Sequence, residues 1–328
     1  MKKKAYLFFI VLGCLALMET SAQAFETITV DTEATPRHEC GFVACRDELF
    51  LIGGRGVKPV ERFDPQGGSW QQLNKTPLEI HHFQPVSYNQ KVYIAGAFTG
   101  KYPHEVPVGE LLVYDPGTDR WSTGPDMPKG RERGAAACVV VGDKLFLVGG
   151  ILDGHSSGTV AWADVYDFRS GEWQTLPDAP NERDHVVAAS DGAYLYVLGG
   201  RESDFHKPGN FAAFFSTTQR AVGRLNLETY EWETLPDSLP VPTAGGAAAF
   251  AKGKIYYTAG ESGQKSAHDQ VQVYDIAMSS WSIVGRLQRG RHGTGLAVLD
   301  DVLYTAAGSG NQGGGPELGS IEQCPLTD

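Results

Sequence analysis

Arginine and histidine, the side chains best suited to gripping an oxyanion, binding a metal or moving a proton near neutral pH, are unevenly spread along the 328 residues of this chain. Arg37-His38-Glu39, His81-His82, Arg133-Gly134, Arg183-Asp184-His185 and Arg291-His292 each stand just upstream of an apolar stretch, at corresponding positions; a sixth such place holds Thr243-Ala244-Gly245. A second set of polar residues follows short apolar runs that end in small residues, and it contains Arg55, Tyr102, His104, Glu105, His155, Arg201, His206, Glu261, His268, Asn311 and Glu317. All nine histidines fall in one set or the other. Guanidinium groups hold a carboxylate or sulfate through two parallel hydrogen bonds, and rings such as Phe98 and Tyr102 stack on the flat face of a sugar. The inventory therefore predicts a small-ligand site, with an acidic sugar as the best fit. The candidate ligand-binding residues are Arg37, His38, Arg55, His81, His82, Tyr102, Arg133, Arg183, His185, Arg201, His268, Arg291, His292, Asn311 and Glu317, and Glu261 is the candidate acid or base. For any single arginine the alternative is a brace bonded to loop carbonyls. No cofactor is predicted except, as a secondary expectation, a divalent metal held by His82, His185 and His292.

The elements that must present these residues follow from an internal repeat. Five segments place a hydrophobic residue, then Asp or Asn, then Trp six positions on: Phe63-Asp64 to Trp70, Tyr114-Asp115 to Trp121, Tyr166-Asp167 to Trp173, Leu225-Asn226 to Trp232 and Tyr274-Asp275 to Trp281. Upstream of each lies an apolar run ending in small residues, LFLIGG (49–54), VYIAGA (92–97), LFLVGG (145–150), LYVLGG (195–200) and IYYTAG (255–260); a sixth, LYTAAG (303–308), has no Trp after it. Apolar stretches flanking polar pairs such as Asp47-Glu48 read as hairpins, and the Asp, Pro, Gly and Ser before each Trp read as a second turn. Each unit is thus a four-stranded antiparallel sheet, apolar on both faces, and such sheets bury themselves only by packing radially. The sequence predicts an all-β, six-bladed propeller over residues 25–328. The alternating residues 25–30 would supply the missing outer strand of blade six and so close the ring.

Double Gly, Tyr-Asp and spaced Trp in five or six registered copies resemble the kelch repeat family, and the resemblance covers essentially all of residues 25–328. It implies a kelch β-propeller, and a fold shared by enzymes, ligand sites and protein-binding surfaces implies no single function. Blades two, four, five and six depart from the pattern at Gly96-Ala97, Leu225-Asn226, Ala259-Gly260 and Ala307-Gly308. The chain also resembles, in signal, repeats and blade number, the N-acetylneuraminate epimerase family of periplasmic enzymes that catalyse sugar anomerisation. Galactose oxidase shares the repeat, but no counterpart of its Tyr-Cys crosslink is evident. The plant specifier proteins hold iron through Glu-x-x-x-Asp-x-x-x-His; here Glu261, Lys265 and His268 give the wrong middle residue and spacing.

Lys2, Lys3 and Lys4 precede an apolar run over residues 5–18, and Ala22-Gln23-Ala24 offers small-x-small, so residues 1–24 read as a signal peptide and the protein as periplasmic or secreted. A lipid anchor at Cys14 is the lesser alternative, because apolar residues continue past it. Removing three lysines and one glutamate with that segment leaves 25 basic and 38 acidic residues, a net charge of −13, which argues against a nucleic-acid partner. No stretch past residue 24 reaches the roughly 20 apolar residues of a membrane span. Cys40, Cys45, Cys138 and Cys324 have irregular spacing and read as small buried thiols more than as a disulfide pair. The expected function is an exported propeller that binds or processes a carbohydrate in the manner of an epimerase, mutarotase or lyase. The alternative is a protein or glycan recognition module using the same face, where Phe211, Phe214 and Phe215 would meet a partner.

Overall fold

Every Asp-to-Trp spacing folds as a hairpin. In a computed structural model that describes residues 23–326, the hydrophobic residue and the Trp of each segment are cross-strand partners: Phe63 with Trp70, Tyr114 with Trp121, Tyr166 with Trp173, Leu225 with Trp232 and Tyr274 with Trp281. The intervening Asp or Asn caps its own turn, Asp64 accepting from the Gln66 N–H, Asp115 from Gly117, Asp167 from Arg169, Asn226 from Glu228 and Asp275 from Met278. The side-chain cap fixes the turn length, and this is why the spacing of six never varies.

Six four-stranded antiparallel sheets result. Blade one runs Cys40–Cys45, Glu48–Gly53, Pro59–Asp64, Ser69–Lys75 from the axis outward, and blades two to five repeat the order. Blade six takes Leu296–Leu299, Val302–Ala306 and Ile321–Pro325 from the C-terminal end, and Glu26–Thr27 as its outer strand. The predicted closure is therefore present, and Phe25 beside it is fully buried with Val271, Leu303 and Cys324. Blade five gains a fifth strand that was not foreseen, Gln23–Ala24 paired parallel to Ser280–Arg286. The predicted leader lies, apart from residues 23 and 24, outside the described residues. The apolar cores sit between adjacent blades, as where Phe50 and Ile52 of blade one pack on Val92, Ile94 and Leu112 of blade two. All four described cysteines are buried, and none of them is joined to another by a disulfide. Among the described residues no helix is long and apolar enough to cross a membrane.

The small-residue pairs are junctions between blades. Gly53 and Gly54 take φ of 70° and 104°, and a Cβ on Gly53 would lie 2.5 Å from the Ile80 carbonyl oxygen. That carbonyl, at the entry of the next blade, accepts from the Gly54 N–H at 2.9 Å. The same bond recurs from Gly150 to Arg183, Gly200 to Thr243, Gly260 to Arg291 and, across the closure, Gly308 to Arg37.

Candidate functional site

Three residues lead into each inner strand, and their positions have different fates. The first is Arg37, Ile80, Arg133, Arg183, Thr243 or Arg291. In five blades its side chain donates to the carbonyl of the first residue of that blade's own small-residue pair: Arg37 to Gly53, Arg133 to Gly149, Arg183 to Gly199, Thr243 to Ala259 and Arg291 to Ala307, at 2.7–3.1 Å. Most of the remaining donors are taken as well, the Arg291 Nε being buried with no partner. Arg37 pairs with Glu61, Arg133 with Asp164 at 2.8 Å and Arg291 with Glu322 at 2.5 Å, while Arg183 bonds the Ala221 carbonyl and Asn181. All four guanidiniums are buried, and burial pulls Arg133 and Arg183 down to about 10. These arginines therefore brace the blades and do not form the anion-gripping ring that the sequence suggested.

The third position turns toward the axis. Glu39, His82, Ala135, His185, Gly245 and Gly293 all have φ between 50° and 62°, a left-handed backbone that non-glycine residues hold only when their surroundings enforce it. Here backbone bonds between neighbouring blades enforce it: His82 N–H donates to the Glu39 carbonyl, Ala135 to His82, Gly245 to His185, Gly293 to Gly245 and Cys40 to Gly293. These six residues line a narrow cavity at the channel mouth. Glu39 and His82 also belong to a wider pocket of about 600 Å³ above it. The long loops after the small-residue pairs wall that pocket with Arg55, Tyr102, His155, Arg201, Phe214, Phe215, Glu261 and Gly313.

Within the pocket the charges are paired. Arg201 Nη1 meets Glu261 Oε1 at 2.6 Å, its Nε donates to Ser203, and its guanidinium lies 4.8 and 5.0 Å from the rings of Phe214 and Phe215. Arg55 meets Glu105 at 2.6 Å, and the other Glu105 oxygen meets His155 Nδ1 at 3.1 Å. His292 is buried between two carboxylates, Nδ1 3.5 Å from Glu39 and Nε2 3.4 Å from Glu261, and its Nε2 donates to the Gly313 carbonyl at 2.7 Å. Burial raises the Glu261 carboxyl, but His292, Arg201 and the Gly313 N–H outweigh it and hold it at about 2. Glu39 is likewise held below its ordinary value despite burial, by His292, His38 and His185. Both are ionised acceptors near neutral pH.

The remaining expected residues divide. His38 lines the pocket and pairs with Glu317 at 2.7 Å; His81 lies behind His82, Nδ1 to Nδ1 at 2.6 Å. His268 bonds Ser262 and Gln270 within the blade-five loop, and Asn311 is bridged to Ser266; neither is among the residues lining the pocket. The predicted metal trio is rearranged. His82 and His185 do approach one another, but the third imidazole is His155, the donor atoms of the three all lying within 4.8 Å. His292 faces the two glutamates instead. Glu39 was missed as a site residue although it occupies the same entry position as His82 and His185, which was the signal that could have found it.

A closed ring of six antiparallel blades with a polar pocket at one mouth defines a β-propeller with a loop-face site. The chain belongs to the kelch-repeat family: residues 86–310 match the KLHDC2/KLHL20/DRC7 Kelch-repeats domain. It is similar to Kelch-like protein terF of Aspergillus terreus, 30% identical over 299 residues, which cover 86% of this chain and 63% of that protein. Kelch-like protein 41b of Danio rerio is 30% identical over 158 residues, 46% of this chain and 25% of that one. The chain thus spans less than two thirds of the length of these relatives. The structure described as "Structure of YjhT" superposes with a TM-score of 0.71 over 90% of this chain and 97% of that one at 16% identity, a likeness of fold.

Proposed function

We propose that the protein binds and processes a small polyhydroxylated ligand of the carbohydrate class in the loop-face pocket. The observation that carries this reading is the pair of pocket-lining carboxylates Glu39 and Glu261, with His292 buried between them and with Tyr102, Phe214 and Phe215 as the walls. Glu39 and Glu261, the carboxylates that reach the pocket, can take a proton from one hydroxyl-bearing centre and return it to another, as ring opening, epimerisation or elimination requires, with His292 behind them fixed by the Gly313 carbonyl. Aromatic walls and carboxylate acceptors suit a sugar's flat faces and hydroxyls. The preference for an acidic sugar rested on the arginine ring. With Arg37, Arg133, Arg183 and Arg291 bonded into the blades, and Arg55 and Arg201 each facing a carboxylate, a neutral polyol fits as well as an anion. The predicted leader 1–24 would put this chemistry outside the cytoplasm.

The test is calorimetric titration of the protein with neutral, uronic and sialic sugars, followed by nuclear magnetic resonance of anomer exchange and ultraviolet detection of unsaturated products. Binding is expected to fall at least tenfold in Phe214→Ala, and turnover to disappear in Glu261→Gln. No binding by any sugar would end this reading.

A second reading is protein recognition, and the rim of the same face supports it. Val106, Tyr102, Phe211, Phe205 and Leu152 are the exposed large apolar side chains of the loops from blades two, three and four. Kelch domains commonly mediate protein interactions, and such a rim is a docking surface in character. Phe211→Ser together with Val106→Ser would abolish partner capture while leaving sugar binding intact.

A further inference from the structure

We propose that His82, His155 and His185 bind a divalent first-row transition metal ion, with Glu39 as the fourth donor. Three entry points converge on it: His82 and His185 come from the axis-facing ring of blades two and four. Between them that ring has only Ala135, and the imidazole of blade three comes from the hairpin of strands Ile151–Asp153 and Ser157–Thr159. Ring centroids are 4.7–5.3 Å apart and all three side chains are buried.

The hydrogen-bond network determines which nitrogens are bare, since carbonyls and ionised carboxylates can only accept. His185 Nδ1 donates to Asp184 at 2.5 Å, and Asp184 is itself fixed by Thr159 and Ser203. His185 Nε2 is then a lone pair, and it is buried with no partner. His155 Nδ1 donates to Glu105 and likewise leaves Nε2 bare. For His82 the chain is one link longer. His81 Nε2 donates to the Gly100 carbonyl at 3.1 Å, with Arg55 Nη1 farther off at 3.5 Å. His81 Nδ1 must then accept from His82 Nδ1, and His82 Nε2 is left as a lone pair facing Glu39 Oε2 at 3.2 Å. Two acceptors at that distance require a cation between them or a proton on the imidazole. A metal ion satisfies all three lone pairs and the carboxylate together.

The pattern has the form of a built metal centre, with each ligating imidazole oriented through its second nitrogen by Asp184, Glu105 or His81. Three neutral imidazoles and one carboxylate favour Zn2+, Fe2+, Co2+ or Ni2+ over Mg2+ or Ca2+, which prefer oxygen. Imidazole ligands at roughly 2.0–2.1 Å from one ion require the rings to close inward from their present spacing, and the Glu39–His82 pair already stands at the separation that tetrahedral ligands keep. The proposal adds to the carbohydrate reading without resting on it, and its test contains no sugar.

Chelator-treated protein would be titrated with Co2+ and Zn2+, reading visible d–d absorption, bound metal by elemental analysis, and melting temperature. One equivalent of Co2+ with an intense visible band is expected. His155→Gln and His185→Gln should weaken binding at least 100-fold, Asp184→Asn and Glu105→Gln about 10- to 100-fold, and His268→Gln not at all. Absence of stoichiometric uptake would overturn the proposal, as would unchanged affinity in the folded His155 and His185 variants. If those variants fail to fold, the wild-type spectrum decides, because a weak band of the aqueous octahedral ion would itself be fatal to it.

Discussion

Arg201 and Glu261 hold the same place in successive blades, directly after the small-residue pair, and they meet in the pocket at 2.6 Å with both side chains buried. A buried pair is costly to break from one side, because the remaining charge keeps its desolvation penalty without its partner. Arg201→Met is therefore expected to lower stability by about 3–5 kcal/mol in chemical denaturation. Adding Glu261→Gln should restore part of that loss. Equal stability of the single and double variants would mean that His292 and the Gly313 N–H already compensate Glu261.

The same carboxylate makes stability depend on pH. Glu261 is held at about 2 in the fold against an ordinary 4.5, so it contributes most above about pH 4.5 and loses its contribution as the pH falls through about 2. Arg201, His292 and the Gly313 N–H face it directly, and Glu39 lies beyond His292. Between about pH 6 and pH 3 the advantage of wild type over Glu261→Gln should shrink by about 2 kcal/mol. Denaturation curves of the two proteins at both pH values check it. An advantage that stays constant, or grows toward acid, would contradict the assignment.

The entry arginines separate architecture from ligand binding by experiment. Arg133 donates to Gly149 and Leu147 carbonyls and to Asp164 at once, a fork that lysine cannot reproduce. Arg133→Lys should cost about 2–4 kcal/mol of stability and leave ligand affinity unchanged. Tyr102→Ala, half-exposed on the pocket wall, should do the reverse. A stable Arg133→Lys protein with weakened ligand binding would return the arginines to the site.

Much of the architecture was legible because it is written in local rules. Asp64 and its equivalents cap turns two or three residues away, and Phe63 meets Trp70 across one hairpin, so spacing alone carries the information. The site was legible only as a face. Arg37 and His82 stand in neighbouring entry segments, yet a shift of two backbone positions separates a side chain that folds back along its own blade from one that turns to the axis. That difference lies in the positive φ of Glu39, His82 and His185, imposed by bonds between blades. No single repeat contains it. His155 was harder still, because it reaches the axis only by filling the place where Ala135 is small.

Gln84 offers the sharpest test of what separates the site from the channel. Its side chain bonds across the ring, Nε2 donating to the Ala188 carbonyl at 2.7 Å and Oε1 accepting from Ala188 and Cys138 N–H groups at 2.9 and 3.1 Å. It lines both the narrow cavity at the mouth and the apolar channel of about 280 Å³ beyond it. Gln84→Leu keeps the bulk but strands three backbone groups, each worth about 1–3 kcal/mol if left unpaired, so a loss of at least about 3 kcal/mol is expected. Gln84→Glu retains the acceptor for both N–H groups but sets a carboxylate against the Ala188 carbonyl, and it should recover stability only at acidic pH, where the protonated acid can donate. A loss under about 0.5 kcal/mol in Gln84→Leu would show that water from the channel reaches Ala188 and Cys138, and that the two cavities are continuous.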